Sequence, residues 1–174
     1  MAAAYGLQFA HLRYFNAAGA APEEGIGERH TPETHAIPLA LFTLLGRREG
    51  FKIFGQDYET RDGTCLRDYV HVLDLADAHV RAVERLLAGG ASLAANLGTG
   101  DGVTVRELLD AIARVTGKSV PATPAPRRDG DAPALVADNS LARRELAWTP
   151  MRGIDAIIAD AWEWHARVEG RVFG

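Results

Sequence analysis

Residues 64–71 read TCLRDYVH and place Arg67 beside Asp68 within an otherwise apolar run that is typical of a strand. Successive side chains of a strand point to opposite faces, so Arg67, Tyr69 and His71 share one face and Asp68 belongs to the other. On these residues alone, the polar face favours the solvent-facing side of an edge strand. Arg67 would then form a surface ion pair worth about 0–1 kcal/mol.

A second charged stretch, APRRDGD at 125–131, holds Arg127 and Arg128 next to each other and Asp131 after a glycine. A guanidinium offers a planar fork to two phosphate oxygens, and a carboxylate accepts hydrogen bonds from paired hydroxyls such as those of a ribose. Two arginines and an acid therefore suit a nucleotide diphosphate. A solvated loop is the alternative, and it is favoured unless a second arginine arrives from elsewhere in the chain.

The glycine-rich turn NLGTGDG at 96–102 must be tested as a dinucleotide loop. Gly98 and Gly100 match the first two glycines of G-x-G-x-x-G, but Val103 occupies the third place. We interpret the glycines as a tight turn with positive φ ahead of a helix, in which Thr104 and Glu107 have capping-box spacing. NAD is not assigned to this turn.

Composition excludes several classes of function. The chain is 47% hydrophobic and 24% charged with a net charge of -4, and its like charges form no long block, so a small-molecule partner is expected rather than nucleic acid or a membrane. Cys65 is the single cysteine, which excludes an internal disulfide and fits a reducing compartment. Without a leader pattern or a run of about 20 apolar residues, we predict a cytoplasmic protein.

Short strand-like and longer helix-like patterns alternate along the chain. This order predicts an α/β fold with a largely parallel sheet, and ligands beyond the carboxyl ends of its strands. Because the chain opens almost at once on the inner-type strand GLQFAHLRYF, a further segment that covers this strand is expected. The predicted strands are 7–14, 51–54, 66–72, 93–97 and 134–137. The predicted helices are 36–47, 73–88, 104–116, 140–147 and 153–168.

Several longer segments carry a family resemblance. They are LRYFNAAGA at 12–20, PETHAIPLAL at 32–41, FGQDYETRDGTCLRDYVHVLDLADAHV at 54–80, NLGTGDG, and APRRDGD followed by LVAD. In this order and spacing they resemble the C-terminal half of the UDP-glucose 4-epimerase family, a branch of the extended short-chain dehydrogenases/reductases. The resemblance covers essentially the whole chain, and the block at 54–80 is its most specific part.

The resemblance implies a fold organisation and a reaction. Segments 1–20 and 66–97 would contribute strands to a Rossmann-like sheet, while 21–65 and 98–174 would mainly form a smaller substrate domain. Family members interconvert UDP-glucose and UDP-galactose: NAD accepts hydride from C4 of the sugar and returns it to the other face of a 4-keto intermediate.

Individual residues take roles from the same resemblance. It implies that Arg67 and Arg128 hold the UDP diphosphate and that Asp131 contacts the ribose. A firm grip on UDP that lets the sugar rotate is what such a reaction requires.

The family resemblance also implies contacts between further residues and the rest of the substrate. The resemblance implies that Asn16 meets the diphosphate–sugar region, that His35 and Ala36 lie along the substrate, and that Tyr69 lines the nucleotide pocket. Phe15 would approach the nicotinamide end of NAD. A metal is not expected at His35, because no second His, Cys or carboxylate repeats at ligand spacing.

The chain departs from the family in its catalytic motifs. The family carries its glycine-rich cofactor loop and a catalytic Tyr-x-x-x-Lys in its N-terminal half, and neither motif occurs in these 174 residues. We therefore assign no catalytic residue and expect the chain to be inactive alone. A missing N-terminal half is expected, through a mis-called start, a truncated gene or a split enzyme, and subunit contacts of a homodimer would belong to that half.

Alternatives stay open at the sequence level. Leu135 stands where some relatives carry Tyr and others Cys beside the hexose, and its intermediate size leaves UDP-N-acetylhexosamines open. A fragment of a UDP-pentose or UDP-N-acetylglucosamine 4-epimerase shares the same grip on UDP. The alternative outside the enzymes is a noncatalytic remnant that binds a nucleotide sugar.

Overall fold

Strands and helices alternate along the chain, and the computed structural model describes residues 5–168. The strands are β1 Ala10–Tyr14, β2 Asn16–Ala18, β3 Phe51–Phe54, β4 Leu66–Arg67, β5 Tyr69–His71, β6 Leu93–Leu97, β7 Val103–Thr104, β8 Ala122–Ala125 and β9 Ala134–Leu135. The helices are α1 Ala36–Leu44, α2 Val72–Leu87, α3 Val105–Thr116, α4 Ser140–Leu146 and α5 Ile154–Glu163, with a 3-10 turn at Pro22–Glu24 and a π-helical turn at Trp164–Val168. No helix within 5–168 has the length and apolar character needed to cross a membrane.

Most strand pairings are parallel. β1 pairs with β6, β2 with β5 and β3 with β8, each in parallel register. β4 lies between β9, which runs parallel to it, and β7, which runs antiparallel. The predicted α/β fold with a largely parallel sheet is therefore confirmed.

Element types agree with the sequence pattern more closely than element boundaries do. The predicted strand at 66–72 is two short strands, β4 and β5, separated at Asp68. The sequence pattern missed β2, β7 and β8, of which β8 lies inside the Pro-rich stretch PATPAPRR. Proline has no amide hydrogen to donate, but this stretch can still pair with β3 because the amides come from the β3 segment. The Phe51 and Gly55 amides donate to the carbonyls of Pro121 and Ala125.

Two apolar cores lie on either side of β5. Core A packs α1, α3 and α5 around β3 and includes Tyr69, while core B packs α2 and α4 against β6 and includes Val70. The alternation of neighbouring residues between the two faces of β5 is as predicted from the period of two. The solvent-facing interpretation of this strand is wrong, because Tyr69, Val70 and His71 are all buried under helices.

His71 connects β5 to helices on both sides. Its Nδ1 accepts a hydrogen bond from the Leu73 amide at the start of α2, and its Nε2 lies 2.9 Å from Oδ2 of Asp160 on α5. A Cβ at Gly19 would stand 2.9 Å from the same ring, so only glycine fits this close approach. β5 and the residues before it are thereby held in a fixed position.

Candidate functional site

Two adjoining cavities form a cleft beside β4 and β5. The small cavity has a volume of about 190 Å³, and the large cavity has a volume of about 540 Å³. Both are lined by Thr34, Ala36, Arg67, Tyr69 and Arg128, which therefore mark the boundary between them. A ligand that spans both cavities must pass the two guanidinium groups.

Arg67 is held on the cleft wall by its own backbone surroundings. Its Nη1 donates to the carbonyls of Leu66 and Ala132 at 2.9 Å each, and its Nη2 lies 3.4 Å from Oδ1 of Asp131. The side chain is only 16% exposed, so it is not the ordinary surface ion pair that the isolated strand favours. These contacts fix the direction of the guanidinium before any ligand arrives.

The side chains of the adjacent residues Arg127 and Arg128 have different contacts. Arg127 pairs with Asp57, with its Nε 2.8 Å from Oδ1, and its guanidinium lies over the Tyr58 ring. Arg128 instead stacks its guanidinium 3.8 Å above the centre of the Phe54 ring and lines both cavities. Arg67, which comes from a different segment of the chain, lines the same two cavities as Arg128.

Apolar and aromatic groups line the small cavity around these cations. Phe51, Phe54 and Tyr69 contribute rings, and Asp131 contributes the carboxylate that faces Arg67. Burial raises the pKa of the Tyr69 phenol to about 12. Tyr69 therefore stays neutral at physiological pH and adds an uncharged ring to the wall.

The large cavity has an amide and an imidazole in its wall. Asn16 lines it and donates from Nδ2 to the Asp68 carbonyl at 2.9 Å, which fixes the amide where β2 meets β5. Phe15, 38% exposed, stands at the same end. His35, the N-cap residue of α1, and Ala36, the first residue of that helix, also line this cavity.

Acidic neighbours surround His35. Its Nδ1 lies 2.7 Å from Oε1 of Glu28 and 2.9 Å from Oε1 of Glu33. His30 Nε2 lies 3.4 Å from the same Glu28 oxygen. Burial, reinforced by the Glu33 carboxylate, raises the pKa of Glu28 above its ordinary value of 4.5. The spacing argument from the sequence missed this group, because a loop rather than one helix brings its members together.

The cleft thus collects every substrate- or cofactor-side residue predicted from the sequence except Leu135. The residues that line it are Phe15, Asn16, His35, Ala36, Arg67, Tyr69, Arg128 and Asp131. Leu135 pairs in register with Arg67 but is 44% exposed and lines neither cavity. The sequence analysis did not identify Phe54 as a residue that lines the cleft. Its position as the last residue of a strand was the one feature that could have indicated this role.

Asp68, which the sequence left without a role, closes the glycine-rich turn. Its buried carboxylate accepts hydrogen bonds from the Thr99 amide and hydroxyl through Oδ1, and from the Gly100 and Ala137 amides through Oδ2, at 2.7–3.1 Å. A Cβ at Gly98 would stand 2.4 Å from Oδ2, so this glycine is required by close approach.

The same geometry tests the turn as a cradle for NAD. A pyrophosphate would need the amides of the turn, and those of Thr99 and Gly100 already donate to Asp68. The turn therefore does not fit the pyrophosphate of a dinucleotide. Phe15 is therefore the one residue within 5–168 to which the family resemblance gives a contact with NAD.

Comparisons with known proteins identify the family of this chain. Residues 1–98 match the NAD dependent epimerase/dehydratase family. A UDP-glucose 4-epimerase of Rhizobium meliloti is 62% identical over 162 residues, which are 93% of this chain and 49% of that protein.

Solved structures give the same result. The UDP-glucose 4-epimerase of Brucella ovis in complex with NAD has a TM-score of 0.88 and 51% identity, covering 92% of this chain and 50% of that one. The enzyme of Stenotrophomonas maltophila with bound NAD and formylated UDP-arabinopyranose has a TM-score of 0.93 and 41% identity, covering 98% and 51%. The chain spans about half the length of the relatives it matches.

Proposed function

The chain belongs to the NAD dependent epimerase/dehydratase family, and we propose that it is the UDP-sugar-binding half of a UDP-glucose 4-epimerase. The observation that carries the proposal is that Arg67 and Arg128, from distant segments, meet at the boundary of two cavities. A nucleotide sugar has the same order of parts: a nucleoside, a central diphosphate and a sugar. Two guanidinium groups at the centre therefore match its diphosphate.

The chemistry of the two cavities supports this orientation. The small cavity, with its rings and Asp131, suits a nucleoside whose base packs on apolar groups and whose ribose hydroxyls donate to a carboxylate. The large cavity, with Asn16 and His35, suits the hydroxyls of a hexose. Its larger volume of about 540 Å³ leaves room for the sugar to turn while the diphosphate stays held.

The roles of this chain's own residues end with binding and orientation. NAD, when bound in a family member, supplies the hydride acceptor for C4 of the sugar. Phe15, which lines the large cavity, would lie near the nicotinamide of that NAD. Because no tyrosine in the 174-residue sequence is followed by a lysine four residues later, we propose that the chain binds a UDP-sugar but does not epimerise it alone. A polypeptide that carries the glycine-rich cofactor loop and the Tyr-x-x-x-Lys motif would complete the enzyme. We also propose a cytoplasmic location.

Calorimetric titration of the purified chain with UDP tests the binding function. We expect one saturable site, and we expect Arg67→Ala and Arg128→Ala each to weaken affinity about 10-fold or more, because each removes charge-assisted hydrogen bonds to phosphate. Arg127→Ala is the matched control, since its guanidinium pairs with Asp57 outside both cavities. It should leave the affinity for UDP unchanged.

The opposing outcomes are distinct. A folded chain that does not bind UDP is an inert remnant, and the proposal fails. Equal losses in the Arg127 and Arg128 variants would mean that general positive charge, rather than the cleft, attracts UDP. Turnover of UDP-galactose by the purified chain with added NAD would refute the absence of activity.

A UDP-pentose is the second candidate substrate. The Stenotrophomonas maltophila relative was solved with formylated UDP-arabinopyranose, whose sugar is a pentose. Titration with UDP-glucose, UDP-arabinose and UDP-N-acetylglucosamine separates the candidates, because all three share the grip on UDP and differ only in what the large cavity must hold.

A further inference from the structure

Three potential metal ligands meet in the loop that leads into α1. A carboxylate oxygen of Glu28 and a ring nitrogen from each of His30 and His35 all lie within 4.8 Å of one another. The Glu28 Oε1 is the centre of the group, at 2.7 Å from His35 Nδ1 and 3.4 Å from His30 Nε2. All three residues line the large cavity.

A buried carboxylate beside the group gives an independent observation. The Glu33 side chain is 6% exposed, and its Oε1 lies 2.9 Å from His35 Nδ1. Its other oxygen, Oε2, is buried without a hydrogen-bond partner among residues 5–168. A buried acceptor without a donor is costly to a fold unless something else satisfies it. Two carboxylates thus face one imidazole, an arrangement that a cation would stabilise.

The loop that carries these side chains is fixed by the surrounding structure. The Trp164 indole donates from Nε1 to the Glu28 carbonyl at 2.9 Å. A Cβ at Gly27 would stand 2.2 Å from the same indole, so the loop lies directly on that ring. At the other end, Glu33 Oε1 accepts from the amides of Thr34 and His35 at the start of α1. The ligands therefore belong to a preorganised segment.

We propose that Glu28, His30 and His35 bind one divalent transition-metal ion of the zinc class. Two imidazoles and a carboxylate are a donor set that zinc accepts with three protein ligands and one open position. Zinc–ligand bonds of about 2.0–2.2 Å place tetrahedral ligand atoms roughly 3.4 Å apart, so shifts of about an ångström or less bring the three atoms into range. The open position faces the large cavity, and Glu33 lies beside the group as a second carboxylate.

Titration of the full chain with zinc chloride, without nucleotide, tests the site. We expect one zinc ion per chain, and an affinity about 10-fold or more lower in His30→Ala and in His35→Ala. His11→Ala is the matched control, because His11 is exposed on β1 and lines neither cavity. Both ligand imidazoles are 54% exposed, so their removal should leave the fold intact, which circular dichroism verifies.

One further measurement makes the result specific. Cobalt(II) in place of zinc should give the visible absorption of a tetrahedral site with nitrogen and oxygen ligands, and Glu28→Gln should remove it. Absence of zinc binding, or equal binding in the His30 and His11 variants, would overturn the proposal. Either result leaves the UDP titration unaffected, because the metal is added alone.

Discussion

From the sequence, both the glycine-rich turn at 96–102 and the arginines of the cleft are candidates for binding an anion. In the structure, the two regions differ in the acceptors that their hydrogen-bond donors have. In the turn, the amides of Thr99 and Gly100 donate to the protein's own Asp68 carboxylate. In the cleft, the Arg128 guanidinium stacks on Phe54 and makes no hydrogen bond to other residues in 5–168. The amides of the turn thus have acceptors within the protein, whereas the Arg128 guanidinium keeps its donors for a ligand. Variants on the two sides should therefore change different properties.

Asp68→Asn should have the largest effect, and it should act on stability. The asparagine retains one acceptor oxygen and places an NH₂ group against amides that formerly donated, so the partly buried Gly100 amide and the buried Ala137 amide lose their acceptor. We expect the free energy of unfolding to fall by roughly 3 kcal/mol, measured by urea denaturation. Asp101→Asn, an exposed change on the same turn, should leave it within about 0.5 kcal/mol. Equal stability of the Asp68 variant and the unchanged chain would show that the carboxylate does not close the turn.

Phe54→Leu should have a smaller effect, and it should act on the ligand. The leucine keeps an apolar side chain under Arg128 but removes the ring face on which the guanidinium stacks at 3.8 Å. We expect affinity for UDP to fall about 2- to 5-fold, which corresponds to a cation–π contribution of about 0.5–1 kcal/mol. Calorimetric titration measures this change.

The control for that variant uses the same substitution elsewhere. Arg47 lies over the Phe42 ring, which lines neither cavity, so Phe42→Leu changes a similar stack outside the cleft. Its affinity for UDP should match that of the unchanged chain. If Phe42→Leu and Phe54→Leu weaken UDP binding alike, the stack on Phe54 does not orient Arg128 for the ligand.

The sequence predicted elements whose signals are local. The helix α3 is one example, because Thr104 and Glu107 form both hydrogen bonds of the capping box that their spacing predicts. The alternation of Tyr69 and Val70 between two cores is another, because the period of a strand depends only on neighbouring residues. Residues implied by the family resemblance, such as Arg67 and Arg128, also meet in one cleft.

The sequence could not reveal features that depend on distant segments. Asp68 stayed unexplained because its partners come from the turn at 98–100 and from Ala137. Arg127 and Arg128 are the same residue type at adjacent positions, and the sequence alone does not distinguish which of them lies over Phe54, a residue of β3 that pairs with β8. The group around His35 needed a loop conformation that no helical or strand period describes.

The smallest effect is expected where the glycine-rich turn enters α3. Hydrogen bonds from Arg61, and secondarily from the Thr104 amide, lower the pKa of Glu107 from 4.5 to about 2. A carboxyl group with a lowered pKa in the folded state stabilises the fold above its unfolded pKa, and this contribution disappears as the pH falls from about 4.5 to about 2. Because the side chain is 42% exposed, solvent screening limits the contribution to about 0.5–1 kcal/mol.

Glu107→Gln isolates this contribution, because glutamine can still accept from the Thr104 amide while it loses the charge that pairs with Arg61. At pH 7 the variant should unfold at slightly lower urea concentration, and between pH 4.5 and about 2 its stability should fall less steeply than that of the unchanged chain. Glu84→Gln, an exposed change on α2, should keep the original slope. An unchanged slope in the Glu107 variant would mean that the loss of stability in acid comes from other carboxylates, such as Asp62, whose oxygens accept from Thr64 and Thr104.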